Sequence, residues 1–210
     1  MDTWEMIDAE RLELADLCDS LTLEQWDAPS LCSQWRVRDV TAHVVQVATQ
    51  SGLAFLGTLV RYGFRVNTMI ERQAVRRGSS ATPEQLCAQV RALVGVRRAL
   101  PGVKPTGVLS GELIHQQDIR RALHLPRTLD PARVTIALDE VIGTSAGILP
   151  GKRRAEGLYL RALDFGWQRG DPNALGVSGS GEAVLMALAG RADGLADLNG
   201  QGVDTMRARL

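Results

Sequence analysis

The sequence has no excess of charge of either sign: 24 Lys and Arg balance 24 Asp and Glu. A nucleic-acid surface needs clustered basic residues to neutralise phosphates, so that class of partner is excluded. Aromatic residues are only 4% of the chain, yet 45% of it is hydrophobic, which leaves an aliphatic core and rules out general disorder. The three cysteines, Cys18, Cys32 and Cys87, are odd in number and lack CxxC spacing, so neither a disulfide framework nor a zinc ribbon fits. A reducing cytoplasmic setting is the expectation. No basic-then-apolar leader opens the chain, and its most apolar stretch, Val44 to Phe64, is interrupted by Gln46, Gln50 and Arg61. A membrane span needs about 20 mostly apolar residues, so no membrane is expected. GxGxxG and GxxxxGK[ST] are missing too, which leaves nucleotide binding by those loops unsupported.

What is present is helical periodicity. Apolar residues recur at helical spacing over 3–21 and again from Val37 to about Arg76, where Gly52, Gly57 and Gly63 predict a kink or a close crossing. Thr22 and Ser33 are candidate N-caps. Thr82-Pro83-Glu84 is a strong helix start, and that helix is expected to reach Leu100 and stop at Pro101-Gly102. Further helices are expected over 106–123 and from Pro131 to about Gly143. After Gly151 the period changes: GLYLRALDFGWQRGD alternates as a strand, and GVSGSGEAVLMALAGR reads as a turn followed by a short apolar helix. The expectation is a mainly α protein, with a helical bundle over 1–150 and a small C-terminal α/β region over 151–210. Ser178 and Ser180 carry letters of a nucleophile elbow without its spacing and read as turn residues.

Histidine is scarce, so each one counts: His43, His115 and His124. His43 shares the apolar stripe of Val40, Val44 and Val47, where a lone histidine is more often a core residue satisfied by one hydrogen bond. In SGELIHQQDIRRAL, Glu112 and His115 differ by ~60° in direction and ~4.5 Å in height on a helix, so both can converge on one point. With a histidine from a facing helix they make a three-ligand set that leaves a divalent metal an open position, as catalysis requires. The plainer alternative is a solvated Glu112 and a surface His115 paired with Asp118. His124 sits at the expected helix end and suits a capping role. The cysteines have no histidine nearby in sequence and read as inert.

WDAPSLCSQWRVRDVTAHV, spanning Trp26 to Val44, resembles the entry to the metal-binding histidine helix of the DinB-like, mycothiol-dependent maleylpyruvate isomerase family. IHQQDIRRALHLPR resembles that family's second metal motif, and ALDFGWQRG, GEAVLMALAGR and LNGQGVDTMRARL resemble its small C-terminal region in actinobacterial members. The resemblance implies a DinB-like antiparallel four-helix bundle that binds a divalent metal, often zinc, and works with mycothiol as thiol co-substrate. His43 matches the first ligand and His115 the ligand of the later helix. The family's usual acid or histidine four residues before the second histidine is Gly111 here, so Glu112 is the carboxylate left on that face. The implied partners are a small thiol and an electrophile, the implied chemistry thiol transfer or isomerisation, with a homodimer left open. The rival reading, favoured by Gly111, is a metal-free bundle that serves as a binding or scaffold protein.

Overall fold

The computed structural model describes residues 1–143 and 150–210. They form two compact units, Met1–Pro126 and Arg127–Leu210.

The N-terminal unit is all helical apart from an isolated bridge between Pro29 and Arg36. Helix α1 (Thr3–Ser20) opens with a capping box in which Asp2 accepts from the Glu5 N–H at 2.9 Å and Glu5 accepts from the Asp2 N–H at 2.7 Å. Thr22 caps the short α2 (Leu23–Asp27) as expected, and its Trp26 is an anchor of the core. Ser33 caps nothing; α3 (Val37–Thr49) starts after Arg36, whose guanidinium grips the buried Asp39.

The helical pattern over 37–76 is three helices where the spacing suggested one kinked one: α3, α4 (Gly52–Arg61) and α5 (Val66–Ser80). Ser51 caps α4 through the Ala54 N–H at 3.2 Å, and Gly63 at φ +59° lets the chain leave it, a conformation that costs glycine little. Helix α6 (Pro83–Arg91) starts at its Thr82 capping box but ends nine residues short of Leu100. Its run-out is captured by side chains: Arg11 Nη1 donates to the Leu93 and Val96 carbonyls at 2.8 and 2.9 Å, and the Gly95 N–H donates to Asp8 at 2.8 Å. Helix α7 (Pro105–Ala122) follows, and His124 beyond it adopts φ +55°, the left-handed conformation of a helix C-terminal cap. Helix α3 packs on α5, α6 and α7, and α1 packs on α6 and α7. Leu14, Leu17, Val37, Val40, Val44 and Ile119 are among the side chains of the resulting core.

The C-terminal unit begins earlier than the change of period suggested. Helix α8 (Pro131–Gly143) packs on α9 (Gly151–Ala155) and α10 (Gly181–Leu188), so the division falls at 126 and not at 150. The reason is α10: all of its residues except Glu182 are buried, and a helix apolar all round must be covered on more than one side. Strands β1 (Leu158–Ala162), β2 (Gln168–Arg169) and β3 (Leu175–Gly179) form a sheet of order β2-β1-β3, antiparallel at the first pair and parallel at the second. Ser178 is a strand residue whose Oγ lies 3.4 Å from the Asn199 carbonyl it donates to, and Ser180 caps α10; neither is placed as a nucleophile. A 3₁₀ turn (Ala192–Asp197) and α11 (Val203–Arg207) complete the unit. No described helix is long and apolar enough to cross a membrane.

Candidate metal and thiol site

The site lies within the N-terminal unit, between α3, α7 and the loop that precedes α3. Loop 28–36 is folded on itself: the Ser30 hydroxyl and N–H both donate to the Trp35 carbonyl at 2.9 Å, and Val37 donates to Ala28 at 3.0 Å. It is also tied to α7, because the Leu31 N–H donates to the Asp118 carbonyl at 3.0 Å. The loop therefore delivers Trp35 and Cys32 to the face of α7 that carries His115.

His43 of α3 and His115 of α7 meet edge to face, with ring centroids 4.9 Å apart. Trp35 packs against both rings, at 4.9 Å from His43 and 6.2 Å from His115. Two imidazoles sharing one tetrahedral ion through nitrogens at 2.0–2.1 Å place their centroids about 5 Å apart, so the spacing suits a common cation. Both histidines are half-buried.

Glu112 lines the same cavity, which has a volume of about 100 Å³ and walls that include Val44, Val47, Leu100, Val103 and Val108. Its carboxylate is buried. Oε1 accepts from Arg11 Nε at 2.9 Å, whereas Oε2 has no hydrogen-bond partner. Burial pushes the Glu112 carboxyl up to about 7, against the opposing pull of the Arg11 charge and hydrogen bond. Arg11 is the charge partner of this acid, and the second carboxylate oxygen is left without a hydrogen bond. Two imidazoles and a carboxylate lining one cavity are donor types that a divalent cation of the zinc type takes, but no set of three donors that includes Glu112 lies within 4.8 Å of one another among the described residues. Gly111 faces open space: a Cβ there would meet nothing within 4 Å. The gap one turn before His115 is therefore part of the cavity.

A second cluster shares His115. Asp118 Oδ2 lies 3.0 Å from His115 Nδ1 and 3.0 Å from Cys32 Sγ, and Sγ is 3.9 Å from the same Nδ1. The three donor atoms lie within 4.8 Å of one another, close enough to hold an ion themselves. The pairing of His115 with Asp118 was legible in the sequence as an i, i+3 pair, but Asp118 is fully buried and not part of a charged surface. Cys32 was missed, because its histidine lies 83 residues away and no local pattern announces it.

Residues 7–109 match the family described as "Mycothiol maleylpyruvate isomerase N-terminal domain". The match takes in α1 to the start of α7, hence His43 and Cys32 but not Glu112 or His115. A crystal structure of the mycothiol-dependent maleylpyruvate isomerase superposes with a TM-score of 0.55 at 14% identity, covering 95% of this chain and 91% of that one. A histidine-to-alanine mutant structure of that enzyme superposes with a TM-score of 0.54, with the same identity and coverage. At that identity the likeness shows the fold, which is DinB-like and mostly helical with a small sheet. No curated protein sequence matches.

Proposed function

We propose that the protein is a cytoplasmic, thiol-dependent enzyme that uses a divalent cation, of the zinc type, held by His43, His115 and Glu112, with mycothiol as its thiol. The observation that carries this is the meeting of two imidazoles at 4.9 Å beside a buried carboxylate with an unpartnered oxygen. A cation at that point would strip the proton from a coordinating thiol, whose ordinary pKa is about 8.5.

The chain's own residues supply the rest. Asp118 accepts a hydrogen bond from His115 Nδ1, which fixes the ring's tautomer and leaves the other nitrogen as the donor lone pair. Cys32 donates its S–H to the same carboxylate oxygen, so it restrains Asp118 and is not itself the nucleophile. Arg11 occupies one oxygen of Glu112 and leaves one for the cation. The apolar walls from α3, α7 and the 99–103 segment keep water away from the reacting sulfur. Addition of a thiol to a cis enone turns its double bond into a rotatable single bond, and elimination of the thiol then returns the trans isomer. Addition without elimination yields a thiol conjugate. Isomerisation and thiol transfer are thus two outcomes of one first step, and transfer is the broader description.

The test is elemental analysis of the purified protein together with an assay of mycothiol addition to electrophiles. About one equivalent of zinc and thiol consumption that chelation abolishes are expected. No cation after incubation with excess zinc would favour the metal-free binding protein.

A further inference from the structure

The cluster around His115 Nδ1 serves the proposed chemistry only by orienting a ring, yet its own geometry is that of a cation site. Asp118 Oδ2 lies 3.0 Å from Cys32 Sγ and 3.0 Å from His115 Nδ1, and Sγ lies 3.9 Å from Nδ1. Bonds of about 2.3 Å to sulfur and 2.0–2.2 Å to nitrogen and oxygen, at tetrahedral angles, set each pair of donors about 3.4–3.6 Å apart. The observed separations differ from these by at most about 0.6 Å. Among the described residues no other three donors of these kinds come within 4.8 Å of one another. The loop that carries Cys32 is fastened on both sides of the thiol. The Cys32 N–H donates to the Ser30 hydroxyl at 3.2 Å, and the Leu31 N–H donates to the Asp118 carbonyl at 3.0 Å. Asp118 is fully buried, whereas Cys32 and His115 are half-buried and so keep an open side.

Charge and softness select the ion. A thiolate, a carboxylate and a neutral imidazole together match a dication, and a neutral sum limits the cost of burying the charges. Thiolate sulfur favours soft cations, whereas His43, His115 and Glu112 offer the cavity no sulfur. The two groups also share one ring. A neutral imidazole has a single nitrogen lone pair, so a cation on Nδ1 leaves the proton on Nε2 and removes Nε2 as a ligand. A cation held through Nε2 needs the reverse, with the Nδ1 proton donated to Asp118. One neutral ring serves one of the two groups at a time.

We infer that Cys32, His115 and Asp118 form a site for a thiophilic divalent cation, and that filling it withdraws His115 from the cavity. On binding, the Cys32 thiol releases its proton to solvent as the sulfur–cation bond forms, and the Nδ1 proton is exchanged for one on Nε2. No electrons are transferred. The competition rests on the proposed function, because it needs a cation in the cavity; the binding of the thiophilic cation does not.

Cadmium is the probe. The full chain is prepared free of metal and of added thiol, with Cys87→Ser as the parent, so that Cys32 and the buried Cys18 are its only thiols. About one equivalent of cadmium is expected to raise an ultraviolet thiolate-to-cadmium charge-transfer band. Cys32→Ser is expected to abolish the band and to weaken cadmium binding by more than the roughly 100-fold that loss of an outer carboxylate costs a metal site. Asp118→Asn keeps the thiol and is expected to keep the band at weakened affinity, and His43→Ala to keep band and affinity both. No band in the parent, a band that survives Cys32→Ser, an affinity unmoved by Asp118→Asn or a band lost on His43→Ala would overturn the site. Zinc-loaded protein separates the two readings. There cadmium is expected to release about one equivalent of zinc to a colorimetric indicator, and Cys32→Ser to hold its zinc. Zinc that stays bound beside cadmium, or that Cys32→Ser releases equally, would overturn the competition. A Cys32-dependent band in a protein that takes up no zinc leaves the site standing and removes the zinc enzyme; zinc uptake and thiol transfer without such a band do the reverse.

Discussion

At the scale of single residues, the site turns on which donors a cation would use, because His115 belongs to two overlapping groups. His43 meets its ring and Glu112 lines the same cavity, while Asp118 lies at hydrogen-bond distance from its Nδ1 with the Cys32 thiol on the same carboxylate oxygen. If the cation lies on the cavity side, His43→Ala removes one of three protein ligands and should abolish zinc retention and thiol transfer. The fold should survive, since the lost packing costs about 1–3 kcal/mol. Elemental analysis and far-ultraviolet circular dichroism on the same preparation check both halves. Asp118→Asn should weaken zinc affinity roughly 10–100-fold, the usual effect of losing the carboxylate that orients a ligating histidine. Cys32→Ser should leave that affinity nearly unchanged, because serine also donates to Asp118. A Cys32→Ser protein as poor in zinc as Asp118→Asn would place the ion among Cys32, His115 and Asp118 instead. The sequence displayed the histidines and Glu112 by helical spacing. It could not display Cys32, whose role depends on loop 28–36 closing through Ser30 and Trp35 onto α7.

At the scale of elements, Arg11 is the buried tie between α1, the end of α6 and α7. It donates to Glu112 and to the carbonyls of Leu93 and Val96, and so both stops α6 early and holds the cavity acid. This explains where the periodicity of the sequence misled. The apolar spacing after Arg91 continues, but a helix reaching Leu100 would bind those carbonyls internally, and the buried Arg11 Nη1 would lose both of its carbonyl acceptors, leaving Glu112 to Nε alone. Likewise, Gly63 and the Ser51 cap cut the apolar run from Val37 into three helices, a local decision that outweighs continuity of the pattern. Glu112 gives the element scale a pH signature. Its folded carboxyl stands at about 7, above the ordinary 4.5, so the folded chain binds this proton more tightly than the unfolded chain does. Stability from this group is therefore greatest below the unfolded value and falls as pH rises from 4.5 to about 7. The loss is up to about 3 kcal/mol. Urea titrations of the chelated protein across that window should show the decline, and Glu112→Gln should flatten it. A wild type and a Glu112→Gln protein with parallel pH profiles would show that the acid is not buried as described.

At the scale of the whole molecule, every residue assigned to the site, from Arg11 to Asp118, lies in the unit Met1–Pro126. The sequence drew the boundary at 150 because the period changes from helical to alternating near Gly157, and periodicity reports the kind of element, not its partners. Helix α8 is an ordinary amphipathic helix by pattern. What assigns it to the C-terminal unit is α10, GEAVLMAL, whose apolar circumference needs cover that the three-stranded sheet alone does not give. The N-terminal unit has an aliphatic core of its own around Leu14, Val40, Leu86 and Ile119, anchored by Trp26, and its buried polar groups Arg11, Asp39 and Asp118 find partners inside it. A unit with both its core and its polar contacts internal meets the conditions for folding alone. A fragment ending at Pro126 is therefore expected to unfold cooperatively and to bind zinc with the stoichiometry of the full chain. It should lose that zinc on His43→Ala as the full chain does. Thermal denaturation followed by circular dichroism, with zinc analysis before and after chelation, measures both properties. A fragment that folds but binds no zinc would mean that Arg127–Leu210 completes the metal site. One that does not fold at all would show that the core of α1, α3, α6 and α7 is insufficient without the rest of the chain.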